Sequence, residues 1–272
     1  MNINELTTEI SNSKKYAHVD ENVVARIVAE IIPKYPKRKD IIKAVKKELH
    51  IIHESFLPED CHARAETLLD NYDGENIATD QELAMKLMTL HSSTKERIGQ
   101  VNEIYQYLSN YIKADDKIAD IGCGFNPFAL PFLIDKPRSY TAYDLSSATV
   151  NLLNKYFKQA DLTYQALIND IVAKPPSTNF TIALMFKLFP ILEHQKKGRA
   201  FELLGELNCH RFIISFPLKS ASGKEKGMEK FYTTRFETEL PTELSILNKT
   251  IFDNEMFYIL KRHCERSEAI QK

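Results

Sequence analysis

The sequence predicts an α/β fold: a helical region of about 92 residues, followed by a mainly parallel sheet with helices between its strands. Three observations support this. A short buried strand runs straight into a glycine-lined turn near residue 122, and from residue 117 apolar runs of strand length alternate with helical patterns. Five consecutive predicted strands also end in polar residues, at the edge where open α/β sheets bind ligands. They are Asp120, Asp144, Asp170, Lys187 and Ser215.

Length and composition limit the class of protein. The 272 residues are 43% hydrophobic and 27% charged, which is typical of a globular chain with one large or two modest domains. No apolar run approaches the roughly 20 residues of a membrane span, and the N-terminus lacks the pattern of a signal peptide. The four cysteines form no CxxC pair, so we expect neither disulfides nor a metal site, and a cytoplasmic location.

Residues 1 to about 92 have helical apolar spacing. Val23, Val24, Ile27 and Ile31 recur along one helix, which Pro33 ends, and further helices are expected over about 58–71 and 80–90. The net charge of the chain is only −1, so binding of nucleic acid would depend on a local basic surface.

Such a basic surface is present in the helix that follows Pro36. Ile41, Val45 and Leu49 form its apolar stripe, and residues 34–47 contain seven Lys or Arg against one acid. Either these cations are a solvated face, or they contact phosphates of a nucleic acid. The candidates for RNA contact here are Lys37, Arg38, Lys39, Lys43, Lys46 and Lys47.

The segment His91–Arg97 precedes another apolar helical pattern. Ser93 or Thr94 is placed to cap a helix that runs to Leu108, with Arg97 in its first turn. A cation is disfavoured there by the helix dipole, which hints at an anionic partner for Arg97; the alternative is an exposed arginine.

The glycine turn carries the most specific signal. Dinucleotide-binding turns have Gly-x-Gly-x-x-Gly, but Pro127 occupies the third position here. The acid Asp120 before Gly122 and Gly124 is instead typical of Rossmann-like class I methyltransferases that use S-adenosylmethionine (SAM). An ordinary strand-to-helix turn is the alternative.

Seven strands are expected in the second part of the chain. Asp144 lies 24 positions after Asp120, about where an acid binds ribose hydroxyls in nucleotide-binding sheets. Helices are expected over 147–157 and 193–207, and a hairpin turn at Asp253. The predicted strands are 117–121, 139–144, 162–168, 180–186, 211–217, 244–251 and 255–260.

Seven sequence blocks together resemble one known family. They are SNSKKY at 11–16, LH at 49–50, HSSTKER at 91–97, GCGFNP at 122–127, FKLFP at 186–190, SFP at 215–217 and KSASGKEKGME at 219–229. With these blocks the chain resembles the 16S rRNA guanine-N7 methyltransferases that modify guanine 1405 in the decoding site and confer aminoglycoside resistance. The resemblance covers about residues 4–261, departs at Ala221, where the family has a larger apolar residue, and gives no role to the tail 263–272.

The resemblance implies a SAM-dependent enzyme with a site at the strand ends. It implies that Arg97 binds the methionyl carboxylate of SAM, Gly122 lines the cofactor, Asp144 holds the ribose hydroxyls and Asp170 meets the adenine amine. Asp120, Gly124 and Lys187 complete the predicted cofactor site. Residues 1–92 are then a domain that docks on the 30S subunit, and 93–262 the methyltransferase domain, acting as a monomer without DNA or membrane.

Methylation at guanine N7 needs no general base, because N7 has a lone pair and no proton. The protein must align N7, methyl and sulfur, and Phe216, Lys219 and Met228 are candidates for positioning the base. Lys224 and Lys226 are further RNA-contact candidates. The alternatives are a SAM-dependent methyltransferase for another rRNA atom or a small molecule, and a non-catalytic rRNA-binding protein with the same fold.

Overall fold

The protein is described here by a computed structural model covering residues 2–58, 60–218 and 228–263. The predicted contacts Lys219, Lys224 and Lys226, and the tail from residue 264, lie outside the described residues. The chain forms two compact units, Met1–Pro175 and Pro176–Lys272. This division falls inside the predicted methyltransferase domain, and the boundary near residue 92 stays a prediction.

The helical N-terminal region is as predicted and belongs to the first unit. Each helix buries an apolar face; in α2 this face contains Val24, Ile27 and Val28. Asp20 caps α2 by accepting hydrogen bonds from the N–H groups of Asn22 and Val23. The helices are α1 (Ile3–Ser11), α2 (Glu21–Ile31), α3 (Arg38–Ile52), α4 (Cys61–Asp70) and α5 (Gln81–Met88).

The segment after α5 differs from the prediction. The single capped helix from Ser93 or Thr94 is wrong: the chain forms α6 (Ser92–Lys95), a 3₁₀ turn (Ile98–Gln100) and α7 (Val101–Ser109). The Thr94 hydroxyl bonds backwards to the carbonyls of Met88 and His91 and caps nothing. Arg97 therefore lies between two short helices, and the dipole argument no longer applies to it.

The first unit also contains three parallel strands: β1 (Lys117–Ile121), β2 (Ser139–Asp144) and β3 (Gln165–Ile168). β3 begins later than predicted because the N–H of Leu162 still bonds to the Phe157 carbonyl at the end of α8 (Ser147–Gln159). The glycine turn is followed by a buried 3₁₀ helix, Asn126–Phe132, and not by an α-helix.

In the second unit, the buried strand β4 (Ile182–Phe186) lies parallel to β5 (Arg211–Pro217), and β7 (Glu255–Arg262) is antiparallel to both β5 and β6 (Leu244–Phe252). The predicted helix 193–207 is two helices, α9 (Phe189–Gln195) and α10 (Arg199–Glu206), because Gly198 has a left-handed φ of 82°. Before β6 the second unit also contains α11 (Met228–Glu239).

The seven strands have the order β3-β2-β1-β4-β5-β7-β6, which confirms the predicted seven-stranded sheet. The predicted hairpin between β6 and β7 is also confirmed, with Asp253 at a φ of 42°. Within the described ranges, none of the helices has both the length and the apolarity needed to cross a membrane.

Candidate functional site

The glycine turn after β1 has the geometry that the sequence predicts. Gly122 and Gly124 have φ values of 62° and 50°, a region that favours glycine. A Cβ atom on Gly124 would lie 2.9 Å from Nε2 of His91, so a side chain at this position also lacks room. Gly122 is exposed although Ile121 and Cys123 on either side are buried, so its backbone faces open space.

Asp144 lies at the carboxyl end of β2 and is tied to this turn. Its Oδ2 accepts a hydrogen bond from the Gly124 N–H at 3.0 Å, and its Oδ1 accepts one from the Ser146 N–H at 2.9 Å. Burial of the carboxyl group raises the pKa of Asp144, and the nearby His53 partly offsets this. The residue as a whole keeps part of its surface exposed at this strand end.

Asp120 and Arg97 are buried in one hydrogen-bonded network. The amide of Asn126 joins them: its Nδ2 donates to Asp120 Oδ2 at 2.9 Å, and its Oδ1 accepts from Arg97 Nη1 at 3.0 Å. The hydroxyls of Tyr105 and Tyr140 complete the network by donating to Asn126 and Asp120. Arg97 is only 2% exposed.

The charges in this network show that Arg97 has an anionic group nearby. Burial raises the pKa of Asp120 to about 6, against the bonds from Tyr140 and Asn126 and the positive charge of Arg97, which lower it. Arg97 therefore lies within the electrostatic reach of an acid, and the alternative of an exposed arginine is wrong. Asp120 thus supports Asn126 of the turn and, through it, Arg97, and its contact with the cofactor stays a prediction.

We predict that Asp120 makes stability fall with rising pH. Its folded pKa is about 6 and its ordinary value is 3.8, so its stabilising contribution is present below about 3.8 and is lost as pH rises through about 6. Between pH 3.8 and about 6, the unfolding free energy of the wild type should fall relative to that of Asp120→Asn, by up to about 1.4 kcal/mol per pH unit. Urea unfolding at several pH values measures this. An equal pH dependence in both proteins would contradict the raised pKa, and Asp116→Asn, a partly exposed acid before β1, is the control.

Asp170 follows β3 and is held by an arginine from the helical region. Arg26 of α2 donates from Nε to Asp170 Oδ2 at 2.6 Å and from Nη2 to Asp170 Oδ1 at 3.2 Å. The N–H of Val172 also bonds to Oδ1, at 3.1 Å. Beside it, the Oδ1 atom of Asn169 is buried and accepts no hydrogen bond from the described residues. This strand end therefore offers unsatisfied acceptor capacity to a ligand that donates hydrogen bonds.

In the second unit, Lys187 follows β4 in a strained conformation with a φ of 55°. Its Nζ lies 3.3 Å from Oε2 of Glu255, and both side chains are almost fully buried. The Ser215 hydroxyl donates to the other Glu255 oxygen and accepts from the Lys187 N–H. A buried ion pair thus joins the end of β4 to the start of β7, and the Ser215 hydroxyl of β5 bonds to both of its residues. A role for Lys187 in cofactor binding stays a prediction.

One of the base-positioning candidates, Phe216, lies in an aromatic cluster of the second unit. Phe216 is 0% exposed, with ring centroids at 5.3 Å from Phe189 and 5.0 Å from Phe236. A cavity of about 250 Å³ borders this cluster. It is lined by Phe189, Pro190, Glu193, His194, Phe201, Phe216, Arg235 and Phe236. Met228 begins α11, and contact of Phe216 or Met228 with a base stays a prediction.

The basic helix α3 has the two faces expected from the sequence. Ile41, Val45 and Leu49 are fully buried, while the predicted RNA-contact cations are exposed. Arg38 differs from the lysines because it pairs with Glu5 at 3.1 Å and with Glu9 of α1. These acids would compete with a phosphate for Arg38, so the lysines of α3 are the better-placed contacts.

Several residues of this site were missed from the sequence. Arg26 comes directly before Ile27 of the apolar stripe of α2, and a cation so close to a buried face was a signal that it has an acidic partner. Asn126 lies in the GCGFNP block, but its amide role depends on side chains from three other segments. Glu255 starts a strand and gave no signal, since its partner is Lys187 from β4, far away in sequence.

Comparisons with known proteins show which family the whole chain resembles. The sequence profile described as ribosomal RNA methyltransferase (FmrO) matches residues 12–259. The 16S rRNA (guanine(1405)-N(7))-methyltransferase of Serratia marcescens is 32% identical, over 97% of this chain and 100% of that protein. The enzyme of the same name from Proteus mirabilis is 30% identical, over 96% of this chain and 97% of that protein.

Solved structures give the same result. The crystal structure of the 16S rRNA methyltransferase RmtF in complex with S-adenosyl-L-homocysteine (SAH) has a TM-score of 0.88 and 30% identity, covering 96% of this chain and 99% of that chain. The 16S rRNA methylase RmtB has a TM-score of 0.82 and 28% identity, covering 97% and 99%. The chain belongs to the ribosomal RNA methyltransferase family.

Proposed function

We propose that this protein transfers a methyl group from SAM to N7 of guanine 1405 of 16S rRNA, and so confers resistance to aminoglycosides. The observation that carries the proposal is the end-to-end match to relatives named for this reaction, with the glycine turn and the strand-end acids in place. The match includes both the helical region and the sheet. Recognition of a single rRNA nucleotide requires more than a cofactor pocket, and the proposal therefore involves both parts.

The residues of the first unit fit SAM. Asp144 has a carboxylate at the end of β2, suited to ribose hydroxyls, and Gly122 has an exposed backbone that allows close approach. The buried Oδ1 of Asn169 and the Asp170 carboxylate supply acceptors beside them for the adenine amine. Arg97 supplies the cation for the methionyl carboxylate.

The reaction requires the protein to align SAM with guanine N7, and it requires no proton transfer. Bound SAM supplies an electrophilic methyl group on a sulfonium, and guanine N7 supplies a lone pair without a proton. The protein therefore orients the two partners along one line and excludes water. N7 becomes accessible when the base is extruded or the RNA helix is distorted, which favours a substrate held by protein on several sides.

The exposed lysines of α3 support docking on folded rRNA. They lie on the face opposite the buried stripe of Ile41, Val45 and Leu49, so phosphates reach them without disturbing the core. We propose the 30S subunit as the form of the substrate, with the protein acting as a monomer. Since ribosomal subunits are the substrate, the cytoplasm is the proposed site of action.

The experiment that tests the proposal compares 16S rRNA from cells with and without the gene. Borohydride reduction and aniline cleave RNA at N7-methylguanine, and primer extension then locates the break. We expect one new stop, at guanine 1405, together with aminoglycoside resistance. A stop at another nucleotide, or methylation only of a small molecule, would replace the proposed substrate. Binding of 30S without any methylation would indicate a non-catalytic protein.

A further inference from the structure

We propose that Arg26, a residue of the helical N-terminal region, is a positioning residue of the cofactor site. It holds the Asp170 carboxylate in the orientation that accepts a hydrogen bond from the adenine amine of SAM. This inference rests on the proposed function, because it takes SAM as the ligand. It adds a residue outside the sheet to the groups that select the cofactor.

The geometry of the pair is that of a fork. Two adjacent N–H groups of the Arg26 guanidinium, on Nε and Nη2, donate to the two different oxygens of Asp170, at 2.6 and 3.2 Å. Such a bidentate pair fixes the plane of the carboxylate as well as its position. The side chains are only 17% and 10% exposed, so water screens the interaction weakly.

The fork leaves Asp170 able to bind a ligand. A carboxylate oxygen accepts about two hydrogen bonds. Oδ1 accepts from Arg26 and from the Val172 N–H, whereas Oδ2 accepts one bond from the described residues. Oδ2 therefore retains capacity for one more donor, and Arg26 determines the direction in which that capacity points. An exocyclic amine, with its two N–H groups, is a donor of the required kind.

The start of α2 is fixed to the same edge of the sheet. The N–H of Asp20 donates to the Leu145 carbonyl at 2.9 Å, and the N–H of Ser147 donates to the His18 carbonyl at 2.7 Å. Val19 and Ser146 also form an antiparallel bridge. Ser146 in turn donates to Asp144. These ties place α2 relative to the end of β2, so Arg26, less than two turns along the helix from Asp20, has a defined position over the end of β3.

This arrangement links two strand-end acids to one N-terminal segment. Residues 18–20 support the loop that follows Asp144, and Arg26 supports Asp170. The ribose and adenine contacts of the cofactor would thus depend on α2 as well as on the sheet. A fragment that lacks the first 92 residues would therefore lose adenine selectivity even if its glycine turn were intact.

The test compares two ligands that differ in the adenine amine. SAH carries the amine, and S-inosylhomocysteine has a carbonyl oxygen in its place, which Asp170 would repel. Calorimetry should show that wild type prefers SAH. In Arg26→Ala, SAH affinity should fall about tenfold, the effect of one misplaced charge-assisted bond, while affinity for the inosyl ligand falls much less. The preference for adenine then shrinks. If both affinities fall by the same factor, Arg26 is merely structural and the inference is wrong.

Arg26→Lys is the second variant, and it carries the test if the alanine variant does not fold. Lysine retains the charge but cannot offer two parallel donors. We expect wild-type thermal stability to be largely kept and the adenine preference to be reduced; full preference in Arg26→Lys would overturn the role of the fork. Lys155→Ala is the matched control. It removes a cation that links α8 to Glu66 and Asp70 of α4, and both affinities should be unchanged.

The design separates this inference from the proposed function. If wild type binds neither ligand, SAM is not the cofactor and the proposed function fails together with the inference. If wild type binds SAH and methylates 30S subunits but shows no adenine preference, or a preference that Arg26→Ala leaves unchanged, only the inference is overturned.

Discussion

Replacing Asp144 by alanine should lower SAM affinity by at least about 100-fold. The proposed contacts are two charge-assisted hydrogen bonds from the ribose hydroxyls, each worth on the order of 1.5–3 kcal/mol. The same carboxylate also accepts the N–H groups of Gly124 and Ser146, so its loss would loosen the turn that faces the ligand. Calorimetry with SAM measures the affinity, and near-wild-type binding would contradict the assignment of Asp144.

Two controls make this result specific. Asp144→Asn keeps the size of the side chain and one acceptor oxygen but loses the charge, so we expect an affinity between those of wild type and Asp144→Ala. Asp116→Ala removes a carboxylate that accepts the Lys113 N–H before β1, at the opposite end of the strand from the glycine turn, and should not change SAM affinity. Circular dichroism verifies that each variant is folded.

The same contact also predicts a pH effect on binding. Burial raises the pKa of Asp144, and only the ionised carboxylate accepts bonds from both hydroxyls. SAM affinity should therefore start to fall, as pH is lowered, at a higher pH than an ordinary aspartate would give. Asp144→Asn should not show this component of the pH dependence.

Sequence alone predicted the parts of this protein that depend on local patterns. The strand β1 and its glycine turn follow from residues that are neighbours in the chain, and the positive φ values of Gly122 and Gly124 confirm the turn. The buried stripe of α3 follows from helical periodicity in the same way. Such features can be predicted from the sequence because the residues that form each pattern lie within one short segment.

The parts that the sequence did not predict depend on contacts between distant segments. Arg26 and Asp170 are 144 positions apart, and Ser215 and Glu255 are 40 apart. No periodicity connects such pairs, so Asp170 was predicted without Arg26, and Ser215 without Glu255. Similarly, the predicted helix after Ser93 failed because the Thr94 hydroxyl bonds to carbonyls that precede it, an alternative to capping that local propensity does not distinguish.

We expect the second large effect, a loss of affinity for 30S subunits, from charge reversal on the exposed face of α3. Lys46 and Lys47 are exposed on the solvent side of α3, while Val45 and Leu49 beside them are buried, so charge reversal there leaves the core unchanged. Lys46→Glu with Lys47→Glu replaces two attractive phosphate contacts by two repulsive ones. The affinity for 30S subunits should fall on the order of 100-fold at low salt, and SAM affinity should not change.

Salt dependence distinguishes a phosphate contact from a solvated face. A lysine that neutralises one phosphate releases about one counterion, so the slope of log affinity against log salt should be smaller by about two in the double variant. Lys86→Glu with Lys158→Glu is the matched control: it changes the net charge by the same amount at exposed lysines outside α3. If the two double variants bind 30S subunits equally well, only the overall charge matters and α3 is not the docking surface. If the α3 variant alone binds weakly and has the smaller slope, the lysines of this helix contact rRNA phosphates.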